Sequence, residues 1–294
     1  MRSRLGLTET WGQVYVDGKL MPAHEAAVCV FDRGFLYGDG VYETLRVYGG
    51  KPFMLDAHFR RMAEGCAIIS LKPPDRDAIE QGLHSVLDAN HLQEAYLRIT
   101  VTRGATGRLW YDVEDALPTV VIIAKPYAST DFREGVRLIV SRFPTDELSP
   151  LSGVKQIGIL PKILARREAC SFGADDAILL DHRGNVSEAT SSNVFWVSRG
   201  KLFTPSLSCG ILAGITRGIV MELAKANGLE VCEGEFELNS LLSADEAFLT
   251  SSTWEIAPIA SVNDVELCGK ERRVTERLHS LYREKIEKEL KLQR

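Results

Sequence analysis

Apolar residues recur along this chain with two different periods, and the switching between them limits the fold more than any other feature. Residues 41–48 and 95–102 run apolar or alternate as strands do, and 119–123 follow the same pattern. Between them Leu55, Phe59, Met62 and Cys66 recur every three to four residues, as do Ile79, Leu83, Val86 and Leu87. Each set marks one face of a helix. Nearer the start, residues 14–16 and 19–21 flank Asp17-Gly18, a hairpin signal, and 27–31 read as a further strand. In the second half, 136–140, 177–181 and 246–260 read as strands, and 186–197 as a strand-rich segment entering an Arg199-Gly200 hairpin. Helices are expected at 160–171, 215–227 and 274–290, the second capped by Gly228. Strands and helices therefore mix in both halves, which predicts a two-domain α+β or α/β protein with mixed sheets and flanking helices. The Pro126-containing stretch 125–132 is the natural linker. It divides a small N-terminal α/β domain (1–126) from a larger C-terminal α/β domain (135–294) through a connection at 127–134, with Lys155 in the larger domain.

The 294 residues are ample for two cores, and their net charge of −5 leaves no basic stripe for nucleic acid. No apolar run is long enough to span a membrane, and the N-terminal MRSRLGLTETWG lacks the apolar core of a signal peptide. The expectation is a cytoplasmic protein. Cysteines 29, 66, 170, 209, 232 and 268 are scattered without a CxxC pair, which argues for reduced thiols rather than zinc or a disulfide framework.

Four positions could carry chemistry. Lys155, in SGVKQIGILPKILARREA, precedes an amphipathic helix and follows a strand in this reading. Its small and apolar neighbours favour a neutral, nucleophilic amine over a solvated ammonium. Glu188, in NVSEATSSNVFWV, either faces water or serves as an acid within a site. In GILAGITRGIVMELAKANG a glycine loop opens a helix at Ile215-Thr216, where free N–H groups and the helix dipole can receive a phosphate. The plainer reading makes Thr216 an N-cap. Arg61 in MLDAHFRRM can supply a fixed cation. Two look-alikes are set aside. The GxG of Tyr37–Tyr42 lacks the βαβ setting of a dinucleotide site, and Ser152 with Lys155 lacks the partner motifs of penicillin-binding enzymes.

Taken in order, VFDRGFLYGDGVYETLRVYGG, LDAHFRRM, the Lys155 segment, VSEATSSNVFW, LFTP with GILAGITR, and FLTSSTWEIAPI resemble the class IV aminotransferases. These are fold type IV enzymes that use pyridoxal phosphate (PLP): branched-chain aminotransferases, D-amino-acid aminotransferases and aminodeoxychorismate lyases. The resemblance runs from about Val14 to Val265, nearly the whole chain. It implies that Lys155 forms the Schiff base with PLP and moves the proton. It also implies that Glu188 binds the pyridine nitrogen, so that the ring can accept electrons. Arg61 (three residues after His58), Ile215, Thr216 and Ser252 would hold the phosphate. The family's sites lie at a domain junction and draw on a second subunit, so a homodimer is implied, with the 104–110 loop as the crossing element.

For substrate the resemblance points two ways. Tyr96 and Arg98 match the Tyr-x-Arg of branched-chain aminotransferases, and Tyr37 matches a pocket tyrosine of that group. Arg108 and Tyr42 match carboxylate contacts of the D-amino-acid enzymes and lyases, but Trp110 replaces the histidine that accompanies them. Thr253 completes the substrate set. Lys162 stands where the family commonly has a small or polar residue, and is expected to point to solvent. Trp254 replaces a small residue beside the phosphate loop and is expected to narrow the pocket. The leading expectation is a ping-pong transaminase acting on a branched-chain-type L-amino acid and a keto acid such as 2-oxoglutarate. The alternatives are a lyase releasing 4-aminobenzoate and pyruvate, a D-amino-acid aminotransferase, and a silent binding protein on the same fold.

Overall fold

The computed structural model describes residues 12–106, 113, 116–128, 132, 134–267 and 272–291. The chain divides into two compact units, Met1–Ala128 with Val154–Gly158, and Ser129–Gly153 with Ile159–Arg294. The expected boundary put all of 135–294 in one domain. The structure instead groups the segment around Lys155 with the first unit.

The first unit contains β1 (Gln13–Val16), β2 (Lys19–Pro22), α1 (Arg33–Tyr37), β3 (Gly40–Tyr48), β4 (Lys51–Pro52), α2 (Leu55–Ile68), α3 (Arg76–Ala89), β5 (Ala95–Thr102) and β6 (Thr119–Pro126). Its strands form an antiparallel sheet in the order β2-β1-β6-β5-β3-β4. Because side chains alternate across a strand, Val41, Leu45 and Val47 of β3 and Leu97, Ile99 and Val101 of β5 share one face. They pack on Phe59, Met62 and Cys66 of α2 and on Ile79, Leu83, Val86 and Leu87 of α3. The two helical periodicities read from the sequence are the helix faces that close this core. Asp75 caps α3 by accepting from the Ala78 N–H, and Asp32 caps α1 by accepting from the Gly34 N–H. The expected strand at 27–31 is absent. Val28, Val30 and Phe31 are exposed there, and the sheet order leaves that segment no strand to pair with. β6 also runs on through Pro126, so the expected linker begins inside a strand.

The second unit contains β7 (Val136–Val140), α4 (Leu160–Ser171), β8 (Asp176–Leu180), β9 (Val186–Ala189), β10 (Asn193–Ser198), β11 (Lys201–Pro205), α5 (Ile215–Ala226), β12 (Val231–Gly234), α6 (Leu238–Leu242), β13 (Glu246–Ser251), β14 (Glu255–Val262), β15 (Val265–Glu266) and α7 (Arg273–Leu290). Its sheet runs β12-β11-β10-β13-β14-β7-β8-β9, with β15 paired to β14. It is mixed: β14, β7 and β8 are parallel neighbours, whereas β10, β13 and β14 are antiparallel. Val136, Leu138, Ile178, Val194, Trp196, Leu249 and Ile259 form its main core. Both expected helix ends at 226–228 hold: Asn227 closes α5 and Gly228 takes the left-handed conformation just beyond it.

One contact positions the reactive lysine candidate. No strand immediately precedes Lys155. Instead residues 155–157 lie along the start of β3: the Tyr42 N–H donates to the Lys155 carbonyl at 2.9 Å, and the Ile157 N–H to the Gly40 carbonyl at 3.1 Å. Gly40 makes this possible. A Cβ there would sit 2.5 Å from the Val101 carbonyl oxygen and 3.2 Å from Ile157. The glycines of the Tyr37–Tyr42 motif thus serve packing and the left-handed end of α1 at Gly38. Gly40→Ala is expected to destabilise the chain by about 1–3 kcal/mol through overpacking against backbone. Urea unfolding followed by circular dichroism measures this, and an unchanged midpoint would contradict it.

Candidate active site

β3 puts a carboxylate where its alternation calls for an apolar side chain. Glu43 lies between Val41 and Leu45 on the core face and is fully buried. A bare carboxylate there would be costly, and α2 supplies the answer. His58 and Arg61, three residues apart on one helical face, both turn to it, whereas Arg60 is exposed. Arg61 grips Glu43 with two bonds, Nε to Oε1 and Nη2 to Oε2, each 2.7 Å. His58 Nδ1 lies 2.7 Å from Oε2. Burial alone would raise the Glu43 carboxyl, but the bonds from Arg61 and His58 outweigh it and hold it at about 2. Burial lowers the His58 pKa despite Glu43, which favours the neutral imidazole, and its Nδ1 shares a hydrogen bond with Glu43. Glu43 was missed in the sequence reading. Its signal was an acid in phase with the core residues of β3.

The opposite face of the sheet carries the other first-unit candidates. Tyr42 pairs through its main chain with Lys155, whose Nζ lies 4.5 Å from the centroid of the Tyr42 ring. The guanidinium of Arg98, on β5, lies 3.8 Å from the same centroid, and its Nε donates to Thr100 Oγ1 at 3.2 Å. Lysine and arginine therefore share one aromatic ring. Tyr96 is two residues before Arg98 on the same strand face and half-buried. Tyr37 stands apart at the end of α1, exposed and covered by Arg33.

In the second unit, Glu188 on β9 is buried rather than facing water. Three donors surround it. Lys162 Nζ is 2.6 Å from Oε1, and Oε2 accepts from Asn193 Nδ2 at 3.2 Å and from the Leu212 N–H at 3.1 Å. Lys162 was expected in solvent; the pull of a buried anion brings it inward instead. Asn193 ties this carboxylate to the start of α5. Its amide also donates to the Leu212 carbonyl at 2.9 Å, and its Oδ1 packs so closely on Gly214 that a Cβ there would lie 1.9 Å away. Gly214, not Thr216, is the N-cap of α5, and no side chain caps this helix. Ile215 and Thr216 are its first residues, with Thr216 buried and its hydroxyl 3.5 Å from Tyr282 Oη. A buried acid and an uncapped helix N-terminus thus sit at the two ends of one short loop. Asn193, also missed, is the residue that joins them.

Ser252 and Thr253 lie in the turn between β13 and β14. There Ser251 Oγ is 3.5 Å from Thr253 Oγ1 and accepts from the Trp254 N–H at 3.1 Å. Trp254 packs on Phe132, with ring centroids 5.0 Å apart, and under the Arg166 guanidinium. Arg108 and Trp110 lie outside the described residues. The donor set suits a planar aromatic ligand with a basic ring nitrogen and an anionic tail. Within the second unit, the Glu188 carboxylate suits a basic nitrogen and the helix N–H groups suit an anion; in the first unit, the Lys155 amine suits a carbonyl.

Comparison with known proteins agrees with this chemistry. The profile of the family described as amino-transferase class IV matches residues 40–262. A putative branched-chain-amino-acid aminotransferase of Methanocaldococcus jannaschii is 37% identical over 278 residues, covering 92% of this chain and 96% of that protein. An aminodeoxychorismate lyase of Bacillus subtilis is 33% identical over 279 residues, covering 93% and 94%. The solved branched-chain aminotransferase of Thermoproteus uzoniensis with norvaline superposes with a TM-score of 0.86 at 31% identity, covering 94% of each chain.

The buried Glu43 cluster has a measurable pH signature. A pKa lower in the folded than in the unfolded chain stabilises the fold above the unfolded value, and that stability is lost as pH falls. His58 withdraws stability below its ordinary 6.5, and Glu43 does so between its ordinary 4.5 and about 2. The urea midpoint is expected to fall over this acid range. Glu43→Gln should start about 3–5 kcal/mol lower, because Arg61 loses a buried partner, and should decline less steeply below pH 4.5. Urea titrations at several pH values, compared between the two chains, check both expectations.

Proposed function

The chain belongs to the amino-transferase class IV family, and from that premise we propose that it moves amino groups between a branched-chain-type L-amino acid and a 2-keto acid such as 2-oxoglutarate. Enzymes of this family work with PLP, and the residues described above fit that cofactor. When bound, PLP supplies an electron-accepting ring that stabilises negative charge at the substrate's α-carbon. Lys155 Nζ is the proposed point of covalent attachment and, once free, the base that takes the α-proton and returns it. Glu188 holds a proton on the ring nitrogen. The N–H groups of Ile215 and Thr216, the guanidinium of Arg61 and the hydroxyl of Ser252 hold the phosphate. Arg61 is kept in one orientation by its two bonds to Glu43, which reduces the conformational entropy lost on binding an anion.

The substrate reading rests on one observation: Arg98 and Lys155 lie over the same Tyr42 ring. A substrate whose α-carbon faces the Lys155 amine brings its α-carboxylate within the reach of Arg98. A guanidinium can hold that carboxylate by two bonds. Tyr96 stands beside it on β5, with Tyr37, Tyr42 and Thr253 proposed as further pocket walls. Arg108 remains the alternative carboxylate ligand for a D-amino acid or aminodeoxychorismate. We also propose a homodimer, because Val30, Phe31 and Phe35 are 65%, 64% and 74% exposed within one short segment of the first unit. Such an apolar patch is what a second subunit would cover.

A donor screen with L-leucine, L-valine and D-alanine against 2-oxoglutarate, run beside an assay for 4-aminobenzoate release, tests the proposal. Keto acid from the L-branched donors is expected. Turnover confined to D-alanine, or to 4-aminobenzoate release, would overturn it. Lys155→Ala should lose the visible absorbance of bound PLP and all turnover. Arg98→Leu should raise the donor KM about 10- to 100-fold, the worth of a charge-assisted carboxylate bond of about 1.5–3 kcal/mol.

A further inference from the structure

We propose that Lys162 acts as a second cation on the Glu188 carboxylate and weakens its hold on the ring-nitrogen proton, so that the cofactor's electron demand is set by a pair of residues. The proposal rests on the reading of Glu188 as the acid that faces the ring. Each oxygen of a carboxylate accepts about two donors. Oε2 already accepts two, from Asn193 Nδ2 and the Leu212 N–H, while Oε1 accepts Lys162 Nζ at 2.6 Å. A protonated ring nitrogen in contact with Glu188 is therefore directed to Oε1, the oxygen that carries the ammonium. Two cations on one oxygen divide its charge between them. The ring proton is then held less tightly than by a carboxylate with neutral donors alone.

Helix stability does not account for Lys162. It occupies the first turn of α4, directly after Pro161, where the helix dipole disfavours a positive charge. That turn holds no acidic residue to offset it. Across from it lies Glu188, whose Oε1 is 2.6 Å from Lys162 Nζ. The Lys162 side chain is 36% exposed while that of Glu188 is 4% exposed, so water reaches the ammonium and moderates the effect without cancelling it.

The test uses the holoenzyme loaded with PLP carrying 15N in its ring, whose chemical shift reports the nitrogen's protonation. Lys162→Met is expected to move the resonance towards the protonated limit and to slow loss of PLP on dialysis by up to about fivefold, the range for a partly exposed pair. Lys162→Arg should restore the wild-type position. Glu188→Gln should move the resonance to the neutral limit. If Lys162→Met leaves the resonance in place while Glu188→Gln shifts it, the role of Lys162 is overturned and the reading of Glu188 stands. If Glu188→Gln leaves it in place, the reading of Glu188 itself falls. Should Lys162→Met fail to fold, Lys162→Gln carries the same expectations.

Discussion

A carboxylate taken out of water costs several kcal/mol unless protein donors replace its hydration shell, and among the buried carboxylates of this chain are Glu43 in the first unit and Glu188 in the second. Glu43 and Glu188 meet the constraint differently. Glu43 is held by an arginine and a histidine from one helix face, which fixes α2 against β3 in register as well as by packing. Glu188 is held by a main-chain N–H, an asparagine and a lysine drawn from three separate segments. The first arrangement serves rigidity, since Glu43 and His58 are buried and Arg61 grips the carboxylate by two bonds. The second leaves acceptor capacity on Oε1 and places it in line with the loop that opens α5.

The same economy appears in the backbone. The chain leaves the second unit's β7, returns along the edge of β3 for residues 155–157, and then enters α4. That detour anchors the Lys155 carbonyl to the strand that also carries Tyr42 and Glu43. The position of the amine then depends on main-chain hydrogen bonds and on the close approach that Gly40 permits, rather than on a flexible loop. A lysine side chain has four rotatable bonds to order. Fixing its root and laying its end on an aromatic ring removes part of that cost before any substrate arrives.

The elements with strong periodicity were legible in the sequence. α2, α3, β5, β7 and α4 appear where apolar spacing placed them, because each buries one face on a core of its own unit. The strand expected at 27–31 failed because alternation alone cannot supply a neighbouring strand, and Val30 and Phe31 stand exposed without one. The candidate acid, amine and helix N-terminus were legible as motifs. Glu43, Asn193 and the inward turn of Lys162 were not, since each depends on a partner distant in sequence: His58 and Arg61, Leu212 and Gly214, and Glu188. A side chain's partner in a charge network is a property of tertiary contact; for Glu43 the spacing shows only that an acid stands in phase with the core residues of β3.

That distinction also says where substrate choice resides. Under the proposed function, the groups that would handle the ring and the proton serve transamination and the lyase reaction alike, so they do not separate the two. On that proposal, choice falls to the face of the first sheet that carries Tyr42, Tyr96 and Arg98. There the guanidinium is stacked on Tyr42 rather than free to sweep solvent, which favours one carboxylate position over others. Tyr42 links the two functions by different atoms. Its main-chain N–H secures Lys155 whatever the side chain, while its ring faces both the amine and Arg98. A change of side chain at 42 can therefore alter the grip on a carboxylate and leave the root of the lysine in place. On that proposal, the strand separates anchoring, by its main chain, from recognition, by its side chain.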